Sequence, residues 1–445
     1  MFISVVIPVY NSAIHLRSCL EHLRSSTLRS FECIVVDDGS TDDSAAVARQ
    51  FGATLLSTSE RSGPAHARNV GALAARGDLL YFVDADVCVY PDTLARISSA
   101  FAADSGLAAL IGTYDENPAS ADFLSQYRNL MHCYVHQTAR PEACTFWSGC
   151  GAIRRQLFLE HSGFNEDYRR PAIEDIELGY RLRRANLKIL LDRRLMVKHL
   201  KRWTFWNLVK TDVLDRGIPW TELMLRDGRM PNDLNIQLSQ RVSVALTFLL
   251  LIVTGLAAYS FGGYFLTPLI SVLFFLLLRY WVEPSPQTAS RGILSCFAVT
   301  VCALVFLSYH YRMFALIPLI ITSVLPLAMR HRYACSSATA QRVSSFIIGV
   351  YVLLAIGLSI SYFPLHPAIL SILAILSVLV ALNNQFYLFL AAKQGRLSAL
   401  AALPFHLLYH FYNGISFAVG LMLHIIRAKT NKSSERKVAV HSSGD

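Results

Sequence analysis

From residue 242 to residue 426 the chain carries one apolar run after another and almost no acidic side chain. Each run is close to the roughly 20 residues that a bilayer core requires of a helix. In hydrocarbon every backbone N–H and C=O needs a partner within the chain, so such runs fold as helices that cross a membrane. Blocks at 242–260, 264–281, 293–309, 313–329, 344–363 and 369–392 read as six spans. A seventh block, 401–426, contains Pro404 and the polar His406, His410 and Asn413. Nearly all Asp and Glu precede residue 236, so a polar half is joined to a membrane half. The averages agree: 53% of residues are hydrophobic and only 16% charged, against about a quarter charged in soluble proteins.

The net charge of +10 does not point to nucleic acid. Lys and Arg are scattered or flank apolar blocks, and no basic helix with interleaved aromatics is present. Attraction to an anionic cytoplasmic leaflet accounts for the charge. The nine cysteines form no CxxC pair, so they are expected to be reduced and structural. The opening MFISVVIPVY lacks the basic start and small-residue cleavage site of a signal peptide. It reads as a buried first strand, and the first domain is expected in the cytoplasm.

The polar half alternates strand-like and helix-like segments. Strands are expected at 3–8, 31–36, 53–57 and 79–83, and helices at 13–25, 45–51 and 65–75. Ile14, Leu16, Leu20 and Leu23 would form the apolar face of the first helix. Such alternation implies a Rossmann-like α/β fold with a mainly parallel sheet and helices on both faces. Ligands bind such sheets beyond the carboxyl ends of the strands. From 201 to 241, Trp203, Phe205, Trp206 and Trp220 are mixed with Lys201, Arg202, Lys210 and Arg216. This suits helices lying at a membrane interface, or a plain amphipathic helix packed on the sheet.

Five motifs can carry chemistry. Pro8-Val9-Tyr10-Asn11 and Asp37-Asp38-Gly39-Ser40 close two strands. A ring face and a carboxylate so placed can hold a planar base, although Asn and Asp-Gly are also plain turn formers. Asp84-Ala85-Asp86 follows an apolar strand. In extended chain the two carboxylates would point the same way, suiting Mg²⁺ or Mn²⁺ held together with diphosphate oxygens. Glu174-Asp175 begins a helix, where acidic residues complement the dipole; alternatively one of them is a general base. The turn 147–155 can line an acceptor pocket. In His199-Leu200-Lys201-Arg202, a His beside two cations can help hold a metal and a leaving diphosphate.

In their order and spacing, VVIPVYN, VVDDGSTD, GPAHARNVG, YFVDAD and IEDIELGYRL over about residues 3–200 resemble the family 2 glycosyltransferases, which have the GT-A fold. The resemblance implies roles for individual residues. Asp38 would bind the nucleotide base, with Pro8 and Tyr10 nearby and Asn11 in the same turn. Arg68 would approach ribose or phosphate. Asp84 would touch ribose or metal, and Asp86 would bind the metal. Asp175 would be the catalytic base, supported by Glu174. His199, Lys201 and Arg202 would steady the metal and the leaving diphosphate. The family inverts the anomeric configuration, and a UDP-sugar is its commonest donor. Processive members carry Gln-x-x-Arg-Trp; the nearest stretch here is Arg216-Gly217-Ile218-Pro219-Trp220. Transfer of a single sugar to a lipid or other membrane-associated glycan acceptor is therefore expected. A polymer synthase would need a polar path through its helices. A transporter or scaffold that senses sugar nucleotide would need charges inside its spans.

The expected organisation is a GT-A domain at 1–200, an interfacial segment at 201–241, a membrane domain of six to seven helices at 242–426 and a basic, disordered tail at 427–445. A bacterial inner or plasma membrane fits, with the catalytic domain cytoplasmic. Connections 282–292, 330–343 and 393–400 then lie inside with Arg291, Arg330, Arg332, Arg342, Lys393 and Arg396, while the outer ones hold only Arg312. This obeys the positive-inside rule. It also makes 401–426 a broken, re-entrant or interfacial segment, so that the basic tail stays inside.

Overall fold

The computed structural model describes residues 1–58, 60–260 and 367–442. The spans expected at 264–281, 293–309, 313–329 and 344–363 lie outside the described residues. In chain order the first domain runs β1 (Ile3–Val9), α1 (Ala13–Arg24), β2 (Phe31–Asp37), α2 (Ser44–Gln50), β3 (Thr54–Ser57), α3 (Pro64–Ala74), β4 (Leu79–Val83), β5 (Val87–Val89), α4 (Thr93–Ala103), β6 (Leu107–Tyr114), α5 (Phe123–Thr138), β7 (Cys150–Arg154), α6 (Arg155–Glu160), α7 (Glu174–Arg184) and β8 (Lys188–His199).

The strands form one eight-stranded sheet of order β3-β2-β1-β4-β7-β6-β8-β5. The first four strands are all parallel. Beyond them β7 is antiparallel to both β4 and β6, and β5 to β8, while β6 and β8 are parallel. The sheet is thus parallel on one side and mixed on the other. Side chains alternate between two cores. Val5 and Ile7 of β1 and Tyr81 and Val83 of β4 face α1 and α4; Val6, Leu80 and Phe82 face α3, α6 and α7. Strands covered on both faces need the unbroken apolar runs seen here. In α1 the buried face is Leu16, Cys19, Leu20 and Leu23, whereas Ile14 is 83% exposed. Ile14 falls about half a turn from Leu16 on a 3.6-residue helix and cannot share its stripe.

Strand order reverses between β1 and β4. Their pairing stops at Val6 and Phe82, and Pro8 beyond it has no N–H to extend a ladder. The strands part there, at the kind of switch point where α/β sheets take ligands.

After β8 come α8 (Phe205–Lys210), a π-helical turn (Thr211–Gly217) and α9 (Ile218–Asp227), continuous with one another. They are followed by α10 (Leu238–Ser260), α11 (Pro367–Leu382), α12 (Asn384–Gln394) and α13 (Arg396–Ser442). Among the described residues, Leu238–Tyr259 and Arg396–Ala428 are long and apolar enough to cross a membrane, and α11 with α12 adds a third if counted as one span. The chain divides into two compact units, Met1–Ala245 with Asn383–Asp445, and Leu246–Leu382.

Three sequence expectations change here. The block 369–392 breaks at Asn383, because α12 packs on the sheet domain: Phe386 meets Tyr127 and Tyr134, and Lys393 pairs with Glu116. The block 401–426 is not broken, for α13 runs through Pro404. The kink expected of an interior proline is opposed by packing of Phe405, Tyr409 and Tyr412, all buried. The helix also continues past Ile426 to Ser442 where a disordered tail is expected.

Candidate active site

The turns after β1 and β2 brace each other. Asn11 has a left-handed φ of 47°, a conformation Asn tolerates better than most residues. Its Oδ1 accepts from Thr41 N–H at 2.7 Å, and its own N–H donates to Ser40 Oγ at 2.9 Å. Asp38 is buried and already occupied. Ser62 N–H donates to Oδ1 and Gly63 N–H to Oδ2, each at 2.8 Å. Gly63 has φ 100° and precedes α3, so this carboxylate anchors the loop that launches α3. A base N–H would be an additional bond to Asp38. The half-exposed Tyr10 ring lies beneath Arg61, whose guanidinium carbon is 4.0 Å from the ring centre. Pro8 lies on β1 opposite Val36. The sequence reading did not single out Arg61.

Asp84 and Asp86 do not share an extended strand. β4 ends at Val83, and 84–86 form a tight turn closed by Val87 N–H to Asp84 O at 3.0 Å. Each carboxylate has its own partner. Arg68 on α3 bonds Asp84 Oδ1 through Nη2 at 2.7 Å and Glu174 Oε1 through Nη1 at 2.8 Å. Arg68 and Glu174 are both buried, and Ala172 N–H also donates to Glu174 at 2.9 Å. Burial raises the pKa of Glu174; Arg68 opposes this, and the neighbouring Asp175 adds to it. Glu174 therefore holds Arg68, and through it the Asp84 turn.

Asp86 faces His199, the last residue of β8, with Oδ2 and Nε2 3.5 Å apart. Burial works against ionisation of Asp86, but His199 outweighs it, with Lys201 and His15 adding, and the pKa lies at about 2. His199 Nδ1 meets Asn129 Oδ1 at 2.7 Å, and the ring stacks on Tyr114 at 4.4 Å. With the Asn129 oxygen assigned toward the ring, Nδ1 carries a proton and Nε2 is left facing the carboxylate oxygen, as a donor when the ring is protonated and as a metal ligand when it is not. That gap suits a proton or a divalent cation. A metal-bound His is commonly oriented through its other nitrogen in this way. Lys201 lies 4.2 Å over the Trp203 ring. Burial lowers its pKa, Asp86 pulls it back up and Arg216 presses it down. Arg202 is turned elsewhere, 3.7 Å from Asp122 at the start of α5.

Asp175, partly exposed, opens α7 beside Glu174. Ser148 N–H and Oγ–H donate to its Oδ2 at 3.0 and 3.1 Å, and Ile176 N–H donates to Oδ1 at 2.8 Å. The turn at Trp147–Ser148 and the general-base candidate are therefore one structure. Gly179 on α7 permits it, since a Cβ there would collide with Thr145 and Phe146. The structure thus brings Arg68, Asp84 and Glu174 together, joins Asp86 to His199, and joins Asp175 to Ser148. Among the described residues no cluster of three or more His, Cys, Asp or Glu could hold a metal alone.

Residues 4–162 match the family model Glycosyl transferase family 2. The N-terminal domain is a family 2 glycosyltransferase domain. Its α/β sheet, with the parallel β3-β2-β1-β4 half and the acidic turn after β4, has the GT-A-like form. Glycosyltransferase GlyG from Streptococcus pneumoniae serotype 4 is 38% identical over 89 residues, 19% of this chain and 30% of that protein. Validoxylamine A glucosyltransferase from Streptomyces hygroscopicus subsp. jinggangensis is 30% identical over 225 residues, 43% of this chain and 53% of that protein. The chain therefore matches about a third to a half of the length of these relatives. Among solved structures it is similar to the mannosyltransferase PcManGT from Pyrobaculum calidifontis in complex with GDP-Man and Mn²⁺. That likeness has a TM-score of 0.42 and 16% identity, and covers 75% of this chain and 88% of the other.

Some residues of the candidate site gave little signal in sequence. Asn129 and Tyr114 reach His199 only through the packing of α5 and β6. Ser148 was visible only as part of a glycine-containing turn.

Proposed function

We propose that the chain transfers one sugar, with inversion, from a nucleotide-sugar donor to a lipid or other membrane-associated acceptor. The observation that carries this reading is the pairing of Asp86 with His199 at the strand ends, next to the Arg68–Asp84–Glu174 triad and Asp175. Two protein ligands plus diphosphate oxygens suit Mg²⁺ or Mn²⁺, which usually keeps few protein ligands at phosphate sites. When bound, the metal supplies positive charge against the leaving diphosphate.

The chain's own residues do the rest. Tyr10, Pro8 and Asp38 form the base end of the donor site, with a UDP-sugar the leading candidate. Arg68 keeps the Asp84 turn in place, and the free oxygen of Asp84 is available to ribose or metal. Lys201 faces the diphosphate as it departs. Asp175, held by Ser148, receives the proton of an acceptor hydroxyl as that oxygen attacks the anomeric carbon. The carbon–diphosphate bond breaks on the opposite face. The apolar helices α10 and α13 support a membrane-bound enzyme, with the donor site in the cytoplasm where sugar nucleotides are made.

A donor-hydrolysis screen of the full chain in detergent tests this. UDP- and GDP-sugars are offered with Mg²⁺, Mn²⁺ or a chelator. Release of nucleoside diphosphate from at least one donor, lost in chelator, is expected. No release from any donor, or full release in chelator, would overturn the reading.

A further inference from the structure

The π-helical turn carries a cation that the steps above leave unused. Arg216 is half-buried, and among the described residues its guanidinium has neither hydrogen bond nor ion pair. Asp212, four residues earlier, is already taken. Arg128 Nη2 bonds its Oδ1 and Tyr412 O–H donates to its Oδ2, both at 2.6 Å. In the wider π winding, with i→i+5 bonds, residues four or five apart share a face. Arg216 therefore lies on the Asp212 side, toward α5 and α13. It is within electrostatic reach of Lys201, Tyr114 and His132, and also of Tyr409 on α13.

The nearest carboxylates are engaged elsewhere, Asp212 by Arg128 and Tyr412 and Asp86 by His199. Among the described residues Lys201 forms no ion pair either; its ammonium lies over the Trp203 ring, which Arg128 also approaches, with the guanidinium carbon 5.8 Å from the ring centre. Among the described residues, several buried polar atoms nearby have no hydrogen-bond partner: Trp203 Nε1, Asn129 Nδ2, Tyr127 Oη and His132 Nδ1. Partly buried like charges repel at low effective dielectric, and an unpaired buried donor costs free energy. A phosphate meets both needs. The opposite face of the same helical run is apolar and open, with Trp206 77% and Leu214 56% exposed. Residues of this kind anchor a helix at headgroup depth, and Tyr409 belongs to a helix apolar enough to cross.

We propose that Arg216, together with Lys201, seats the phosphate of a lipid acceptor at the membrane surface. This rests on the glycosyltransferase reading and names its acceptor class; the attacking atom is then an ionised phosphate oxygen with no proton to lose, and the base role of Asp175 belongs to a hydroxyl acceptor. A phosphate here has a second possible source, the donor's own diphosphate, so the test has separate arms. Purified full-length protein in detergent is offered a long-chain lipid monophosphate or the corresponding lipid alcohol, and retention is compared by native mass spectrometry. Binding of UDP and of GDP with Mn²⁺ is measured in parallel. The wild type should prefer the monophosphate by at least about tenfold, the scale of one charge-assisted bond. Arg216→Gln should erase that preference, Arg216→Lys should keep most of it, and nucleotide affinity should stay within about twofold in both. No preference in the wild type, or a preference that survives Arg216→Gln, overturns the proposal. So does an Arg216→Gln protein that loses nucleotide affinity to the same degree, which would assign the cation to the donor. A wild type that binds neither UDP nor GDP overturns instead the reading beneath it.

Discussion

Replacing Arg68 by Met keeps the length of the side chain and removes its charge. Glu174 then keeps backbone N–H donors, that of Ala172 among them, but no cation, in a site where its side chain is 5% exposed. Leaving one member of a buried pair charged costs about 3–5 kcal/mol. The carboxyl can instead take up a proton. From an ordinary Glu pKa near 4.3, and at about 1.36 kcal/mol per pH unit, that costs roughly 4.4 kcal/mol at pH 7.5 and roughly 1.6 kcal/mol at pH 5.5. The cheaper route sets the loss, about 4 kcal/mol at pH 7.5 and less than half of that at pH 5.5. The sign follows from linkage. In the variant the folded pKa of Glu174 lies above its unfolded value, so the penalty is absent below the unfolded pKa and grows as pH rises. Asp84, with its side chain 35% exposed, keeps water and adds less than about 1 kcal/mol. Thermal unfolding of the full chain in detergent at the two pH values reads the difference. The fall in Tm relative to wild type should be about twice as large at pH 7.5, and Arg68→Met with Glu174→Gln should recover most of it. Equal shifts at both pH values would refute the assignment of Glu174 as the buried counter-charge.

Asp86→Asn should abolish transfer while the Tm stays close to wild type; full activity of this variant in excess chelator would exclude a metal role. Asp175→Asn should lower turnover on a hydroxyl acceptor by at least about a hundredfold, the lower range for general-base catalysis, with nucleotide affinity nearly unchanged; loss of nucleotide binding with normal turnover per bound donor would reassign it. Tyr412→Phe should cost about 1.5–3 kcal/mol, as expected for a hydrogen bond to a charged group, and Asp212→Asn more, since Arg128 stays buried; both are read by chemical denaturation, and neutral effects would mean that α13 is not tied to the domain through Asp212. A cysteine at position 443 should resist an impermeant reagent in intact cells, because Arg427 near the end of the apolar part of α13 still pairs with Glu222 on α9; labelling there would place the C-terminus outside.

Local patterns determined a large share of this protein. Largely apolar runs required strands buried on both faces, and the β1 and β4 segments lie where those runs are. Acidic residues at 174–177 marked the start of α7 through the helix dipole. Order and spacing of the acidic turns sufficed for the family, because each turn ends a strand and strand ends converge on one edge of such a sheet. Contacts between residues far apart in sequence belong to the tertiary structure. No spacing rule pairs Arg68 with Glu174 or Asn129 with His199, since those bonds depend on how α3, α5 and α7 pack on the sheet. The antiparallel placement of β7 and β5 was equally hidden: a strand's apolar pattern states which faces are buried and says nothing about direction. The fate of Pro404 shows the same limit. Alone it signals a break, but aromatic packing and a buried carboxylate shared by Arg128 and Tyr412 hold α13 in one piece. A helix that is only marginal by propensity takes its shape from what it packs against.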